Sequence, residues 1–366
     1  MPKDLFLWLC SQIGHVVVKH DTKFRRAVPV EVRVGAILFR LTTGMTYFNV
    51  ADRFGIGTST VQEFMEDVVD AIISVMGPRY LVWPSGEDME QVSQGFMRKV
   101  GLPNWQGAID GTHIRLRQGP FGGNKSRDYY NRKGWYSVVL QAIYDSNGIF
   151  LDMSTGMPGC VHDSRVVTRS RFYDTAMAGA VLAEPVITIN RGYRVRPYIL
   201  GDQGYQMLPW LVKCYPPRGL SVLQWTFNER HIRGRLIIEQ AFGQLKARFP
   251  ILSLGIGSSI TWGAKVVHAC CILHNIRVQN RVQLPERRNI ADDQPPTATL
   301  SLMSWALTSI CTGGVDDCVA SKSSLFLSFQ IAFHAAASTK VIGSPFDFDI
   351  RDASINSSIV TDKNGN

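Results

Sequence analysis

Apolar positions between residues 29 and 75 recur at the three- and four-residue steps of helices. Pro29 suits a helix start, and Val30, Val34, Ile37, Leu38 and Leu41 lead to a stop at Thr42-Thr43-Gly44. A short helix is expected from Thr46 to Phe54, then a tight turn at Gly55-Ile56-Gly57. A third helix runs from about Thr58 to Ile73, with Val61, Phe64, Val68 and Ala71 inside. Ser59 with Gln62, and Thr60 with Glu63, have capping-box spacing. Two short helices joined by a glycine turn, the second opening on small polar residues, is helix-turn-helix geometry. A plain three-helix packing module carries the same pattern. Read as a helix-turn-helix, the unit would face DNA with Thr58, Ser59, Thr60 and Gln62.

Beyond residue 75 the pattern changes. Gly77-Pro78, Pro84-Ser85-Gly86 and Pro103 break the chain, so 76–104 reads as a linker. Ala108-Ile109-Asp110 ends a short strand. Ser137 to Tyr144 and Ile149 to Ser154 are β-rich and flank the turn Asp145-Ser146-Asn147-Gly148, a hairpin signal. Asp163 to Tyr173 is expected to be helical, Pro197 to Leu200 a strand ending at Gly201-Asp202, and Arg233 to Phe249 a strong helix stopped by Pro250. Trp262 to Val278 makes a further helix. Residues 1–28 read as a basic arm with Lys19, His20, Lys23, Arg25 and Arg26, either simply solvated or serving phosphate contact or nuclear import. Residues 281–366, broken at Pro295-Pro296 and without a sustained period, read as a weakly ordered tail. The remaining segment, 105–280, holds the mixed α/β pattern.

Charge adds a partner. The chain of 366 residues carries a net charge of +9. Residues 281–366 hold 7 basic and 9 acidic groups, leaving 32 against 21 in residues 1–280. That excess favours nucleic acid or an anionic membrane. No run reaches the roughly 18–20 apolar residues that span a bilayer; Leu325 to Ala337 is short and interrupted by Ser328, Gln330 and His334. Leu5 to Cys10 is too short for a signal peptide. The 7 cysteines show no CxxC spacing, which points to reduced thiols and away from zinc.

Three acids stand out by position. Asp110 and Asp202 each end a strand, and Glu239 lies in a helix whose apolar stripe is Ile238, Ala241, Phe242, Leu245 and Phe249. Arg235, Gly243 and Lys246 share its polar face. Three carboxylates converging with no cation among them repel, and a divalent ion removes that repulsion. Oxygen-only ligands select Mg²⁺ or Mn²⁺. Any single acid at a strand end is ordinarily a solvated loop residue or a cap, so the argument rests on the set.

Trp105 to Ile114 around Asp110, Tyr198 to Tyr205 around Asp202, and Phe227 to Pro250 around Glu239 resemble the DDE motifs of PIF/Harbinger transposases and the nucleases derived from them. Gly159 to Arg165, with His162 and Asp163, and Cys270 to Asn275 resemble the same family. Asp202 follows Asp110 by 92 residues and Glu239 follows Asp202 by 37, both suited to it. Gln203 and Gln206 depart from its more usual Ser or Ala and Pro.

The resemblance implies an α/β, RNase H-like fold: a mixed five-stranded sheet flanked by helices, after a small all-helical helix-turn-helix domain at 29–75. It implies a nuclear DNA endonuclease that cuts phosphodiester bonds with two divalent metal ions held by Asp110, Asp202 and Glu239. His162 and Asp163 would lie near the site in packing or capping roles. Arg230, Arg233, Arg235, Lys246 and Arg248 would contact phosphates, or simply form a solvated helix face. A separate Myb-like accessory protein is implied as partner. A domesticated, non-catalytic DNA- or chromatin-binding protein is the alternative, a course that some plant relatives of the family are regarded as having taken.

Overall fold

The computed structural model of the chain describes residues 1–280, apart from 24–25, 121–122, 190–191 and 258. The expected tail at 281–366 lies outside the described residues.

The N-terminal stretch corrects the expectation of an arm. Residues 3–17 form helix α1 (Lys3–Val17), because Phe6, Leu9, Cys10, Ile13 and Val17 make one apolar face, and all are buried. Helix α2 (Val30–Thr43) ends at Gly44, whose φ of 67° is a left-handed cap position that glycine adopts without strain. Helix α3 (Tyr47–Phe54) starts at Thr46, whose side chain accepts from the Asn49 N–H. Helix α4 (Thr58–Ala71) follows the expected glycine turn. The capping boxes expected at Ser59 and Thr60 do not form: the N-cap is Gly57, so both residues lie inside the first turn. A π-helical turn at Ile72–Met76 leads into α5 (Gly77–Tyr80). The expected linker is itself structured, since α6 (Gly86–Val100) buries Met89, Val92, Phe96 and Val100.

Strands β1 (Trp105–Arg115), β2 (Ser137–Tyr144) and β3 (Phe150–Pro158) form an antiparallel meander. The helix expected at 163–173 is two, α7 (Asp163–Val167) and α8 (Arg171–Met177), because the Ser170 side chain caps the second by accepting from the Tyr173 N–H. A small hairpin of β4 (Ile187–Ile189) and β5 (Tyr193–Val195) precedes β6 (Tyr198–Leu200) and β7 (Leu211–Val212). The main sheet has the order β3-β2-β1-β6-β7, with β6 parallel to both its neighbours. Long helix α9 (Val222–Arg248) opens with a Ser221–Gln224 capping box, well before the expected Arg233. Helices α10 (Ile251–Leu254) and α11 (Ile260–Gln279) close the described chain.

Alternation along the strands divides two cores. Ala108, Leu140 and Ala142 join Ile238, Phe242 and Val266 on the face covered by α9 and α11. Ile109, Ile143, Ile199 and Leu211 pack with Val167 and Phe172 of α7 and α8 on the other. This mixed five-stranded sheet with helices on both faces is the expected RNase H-like architecture. Among the described residues no helix is long and apolar enough to cross a membrane.

The His274-Asn275 pair is structural. Asn275, fully buried, donates from Nδ2 to the Phe150 and Tyr80 carbonyls at 2.8 and 2.6 Å, and its Oδ1 accepts the Phe150 N–H at 2.9 Å. It thereby joins α11 to β3 and α5. Replacing Asn275 with Ala leaves these backbone groups buried and unpaired, and urea titration is expected to show a loss of about 2–4 kcal/mol.

Candidate active site

Asp110 lies within β1 and not at its end, which corrects the sequence expectation. The relation to Asp202 is nevertheless set by register. Pairing of β1 with β6 runs to Ala108 opposite Leu200. Asp110 and Asp202 each stand two residues beyond that rung, Asp110 still within β1 and Asp202 in the turn just past the end of β6.

Asp110 Oδ1 accepts the Gly111 N–H at 2.8 Å. Burial pushes this carboxyl up to about 7; Arg235 and the Gly111 N–H oppose the rise, while Asp202 and Asp163 add to it. Asp202 sits in a turn closed by the Gly204 N–H donating to its Oδ1 at 2.8 Å. Gln203 donates from Nε2 to the Cys214 carbonyl at 3.0 Å, bracing that turn against the chain after β7. Tyr205 is anchored too: Gln141 donates to its hydroxyl at 3.1 Å and to the Asp163 carbonyl at 3.2 Å.

The capping role expected of Asp163 does not form, and its side chain lies beside the other acids. His162 is the N-cap of α7, and no side chain caps that helix. A Cβ at Gly111 would lie 2.5 Å from Asp163 Oδ1, and one at Gly204 would lie 3.1 Å from Asp202 Oδ1 and 3.7 Å from Asp163 Oδ2. Two glycines thus leave the room that the acids occupy. Burial, reinforced by Asp202, pushes Asp163 up to about 6, against the pull of His162 and Arg132. His162 Nε2 lies 2.9 Å from Arg132 Nη2. A cleft of about 150 Å³ opens here, lined by Thr112, Arg132, His162 and Asp163 among others.

Glu239 behaves differently. Its side chain is 55% exposed and pairs with Arg235 Nη2 at 3.5 Å. The same nitrogen lies 3.9 Å from Asp110 Oδ2. A cation therefore does stand between the first and third acids, contrary to the expectation from spacing. Among the described residues, no three His, Cys, Asp or Glu side chains are gathered, as they stand, into a group that could hold a metal ion.

The expected DNA-facing residues divide in the same way. Thr58, Ser59 and Gln62 are exposed at the start of α4, with Thr60 half-buried. Arg233 is exposed and pairs with Glu229. Lys246 is committed to β1, donating to Thr112 Oγ1 at 2.7 Å and to the His113 carbonyl at 2.9 Å. Arg230 donates to the Gly101 carbonyl at 2.8 Å, at the end of α6. Arg248 corrects the expectation outright: it is buried and donates to His274 Nδ1 at 3.1 Å, leaving His274 Nε2 to donate to the Gly148 carbonyl at 3.0 Å.

The DDE superfamily endonuclease family matches residues 109–275. Antagonist of Like Heterochromatin Protein 1 from Arabidopsis thaliana is 30% identical over 285 residues, covering 75% of this chain and 70% of that protein. The chain belongs to the Harbinger-derived DDE superfamily endonucleases. An ALP1-like protein of the same plant is 30% identical over 72% of this chain and 63% of its own length. Homo sapiens HARBI1 is 24% identical over 76% of each chain. No solved structure matches.

For this DDE endonuclease-family chain a pH dependence follows. Asp110 rises from its ordinary 3.8 to about 7 in the fold. Between those values the folded state keeps a proton that the unfolded chain has lost, so stability falls as pH rises through the window. With a chelator present, Asp110→Asn is expected to match the wild type below pH 4 and to melt higher than it at pH 8. Thermal unfolding at several pH values checks this.

Proposed function

We propose that the protein is a nuclear, divalent-metal-dependent DNA endonuclease. The observation that supports the reading is that Asp110 and Asp202 each follow the last β1–β6 rung by two residues, with the charges of Asp202 and Asp163 both felt at Asp110. Burial, with the charges of Asp202 and Asp163 added, raises the Asp110 carboxyl despite Arg235, so its counter-charge is incomplete, and the hard oxygen donors suit Mg²⁺ or Mn²⁺. Asp110 and Asp202 fit such an ion. Glu239, drawn to Arg235, fits only after that pair opens. Those three acids would hold the metal, whether one ion or the two that the family resemblance implies. The chemistry that such an ion would supply there is activation of water and stabilisation of the leaving oxygen at phosphorus.

The rest falls to the chain's own groups. The turn hydrogen bond at Gly204 and the Gln203 brace fix the backbone that presents Asp202. Lys246 fixes α9, and hence Glu239, against β1. Exposed Thr58, Ser59 and Gln62 on α4 and Arg233 on α9 offer donors to phosphates, which position DNA without reading sequence. The excess of 32 basic over 21 acidic groups in residues 1–280 supplies the attraction. A Myb-like accessory protein is the partner in this reading.

Cleavage of supercoiled plasmid that needs added Mg²⁺ or Mn²⁺ and stops with a chelator is the test. A second reading, a non-catalytic role at chromatin, draws on the plant relative named as antagonist of a heterochromatin protein. DNA binding without cleavage under either ion would favour it.

A further inference from the structure

Arg235 connects two elements of the acid site. Its Nη2 lies 3.9 Å from Asp110 Oδ2 on β1 and 3.5 Å from Glu239 Oε1, one turn along α9. The side chain is only 28% exposed, and its buried Nε has no hydrogen-bond partner. Removing a guanidinium from water without satisfying its donors is unfavourable, so here the negative field of the acids holds it. The neighbouring Arg233 is different: it is exposed and spends its charge on Glu229, away from the acid pair.

We propose that Arg235 is a placeholder cation: in the metal-free protein it partly offsets the charge of Asp110 and draws Glu239 aside, and a divalent ion must displace it to bind. The proposal rests on reading Asp110 and Asp202 as a cation site. A metal and a guanidinium cannot share the same carboxylate oxygens, because their mutual repulsion at this range opposes joint occupancy. Displacement frees Glu239 to turn toward the pair. It also releases a guanidinium at the mouth of the site, where phosphate is the natural new partner. Arg235 is thus a positioning residue that governs when the acid set is complete.

Calorimetric titration of the full chain with Mn²⁺, at low ionic strength and without DNA, tests this. Arg235→Gln is expected to bind Mn²⁺ about tenfold tighter than the wild type, or more, because one repelling charge is gone. Arg235→Lys keeps the charge and is expected to stay near the wild type, as is Arg233→Gln. Arg235→Met keeps the aliphatic stem without polar groups and answers the same question if glutamine disturbs the fold. Equal or weaker Mn²⁺ binding by the charge-removing variants, with binding still lost in Asp110→Asn, overturns the placeholder and leaves the cation site standing. Absence of Mn²⁺ binding in every protein overturns both.

Discussion

Asp110→Asn and Asp202→Asn are each expected to lower divalent-dependent strand cleavage by about 10²–10³-fold or more while the protein remains folded. An amide keeps the shape of the carboxyl and removes the charge that would hold the ion. Asp110 is held within β1 and Asp202 in the turn after β6, so neither can replace the other. Glu239→Gln is expected to give a loss of the same order, although its route differs: the side chain must first leave Arg235. Asp152→Asn is the control. Burial pushes Asp152 up to about 6, but the charges that act on it are the Met153 N–H and Arg171, not the other acids. Its substitution therefore separates the effect of a buried carboxyl from membership of the site. Radiolabelled or supercoiled DNA cleavage, scored alongside melting curves, distinguishes lost chemistry from lost fold. Equal cutting by Glu239→Gln and the wild type would remove Glu239 from the assignment.

Gly234→Ala is expected to destabilise the protein by about 2–4 kcal/mol, even though alanine is the better helix former by about 1 kcal/mol. A Cβ at Gly234 would lie 1.9 Å from Trp105 Cη2, with two further ring atoms within 2.9 Å. Trp105 cannot yield easily. It is fully buried and stacks on Phe96 of α6 with centroids 3.9 Å apart and planes 17° apart. One glycine thus allows α9 to lie close against β1, and that contact fixes the approach of Glu239 and Arg235 to Asp110. Denaturant unfolding measures the loss. Combining Gly234→Ala with Trp105→Leu is expected to recover part of it, since the two changes address one contact.

The sheet and its acids were readable in the chain for different reasons. The β2–β3 hairpin carries two β-rich runs and a turn sequence; the bounds of β2 follow, while β3 runs four residues past the expected Ser154 to Pro158. Asp110, Asp202 and Glu239 were readable through long local motifs. Helix α6 was hidden by Pro84-Ser85-Gly86 and by Gly95, a residue kept small because a Cβ there would meet Ser146 Oγ at 2.2 Å. Its stripe of Met89, Val92, Phe96 and Val100 was the available signal. Helix α1 looked like a basic arm because the positive charges gather after its end at Val17. The polar face of α9 was the hardest to read. Spacing showed which residues are neighbours along the helix, but not that Lys246 reaches β1, that Arg248 turns inward to His274, or that Arg235 reaches a strand. Those facts depend on how the helix is rotated against the sheet. Asp163 was expected near the site, but its closeness to Gly111 and Gly204 is a tertiary contact that local spacing does not show.

Anomalous diffraction from crystals soaked in Mn²⁺ addresses the cation site most directly. The expected map shows a Mn²⁺ peak between Asp110 and Asp202, about 2.0–2.6 Å from carboxylate oxygens as hard divalent ions require. In the same map Arg235 has moved off Asp110. A soaked crystal with no peak at this pair, and with Arg235 still against Asp110, would contradict the metal-dependent reading.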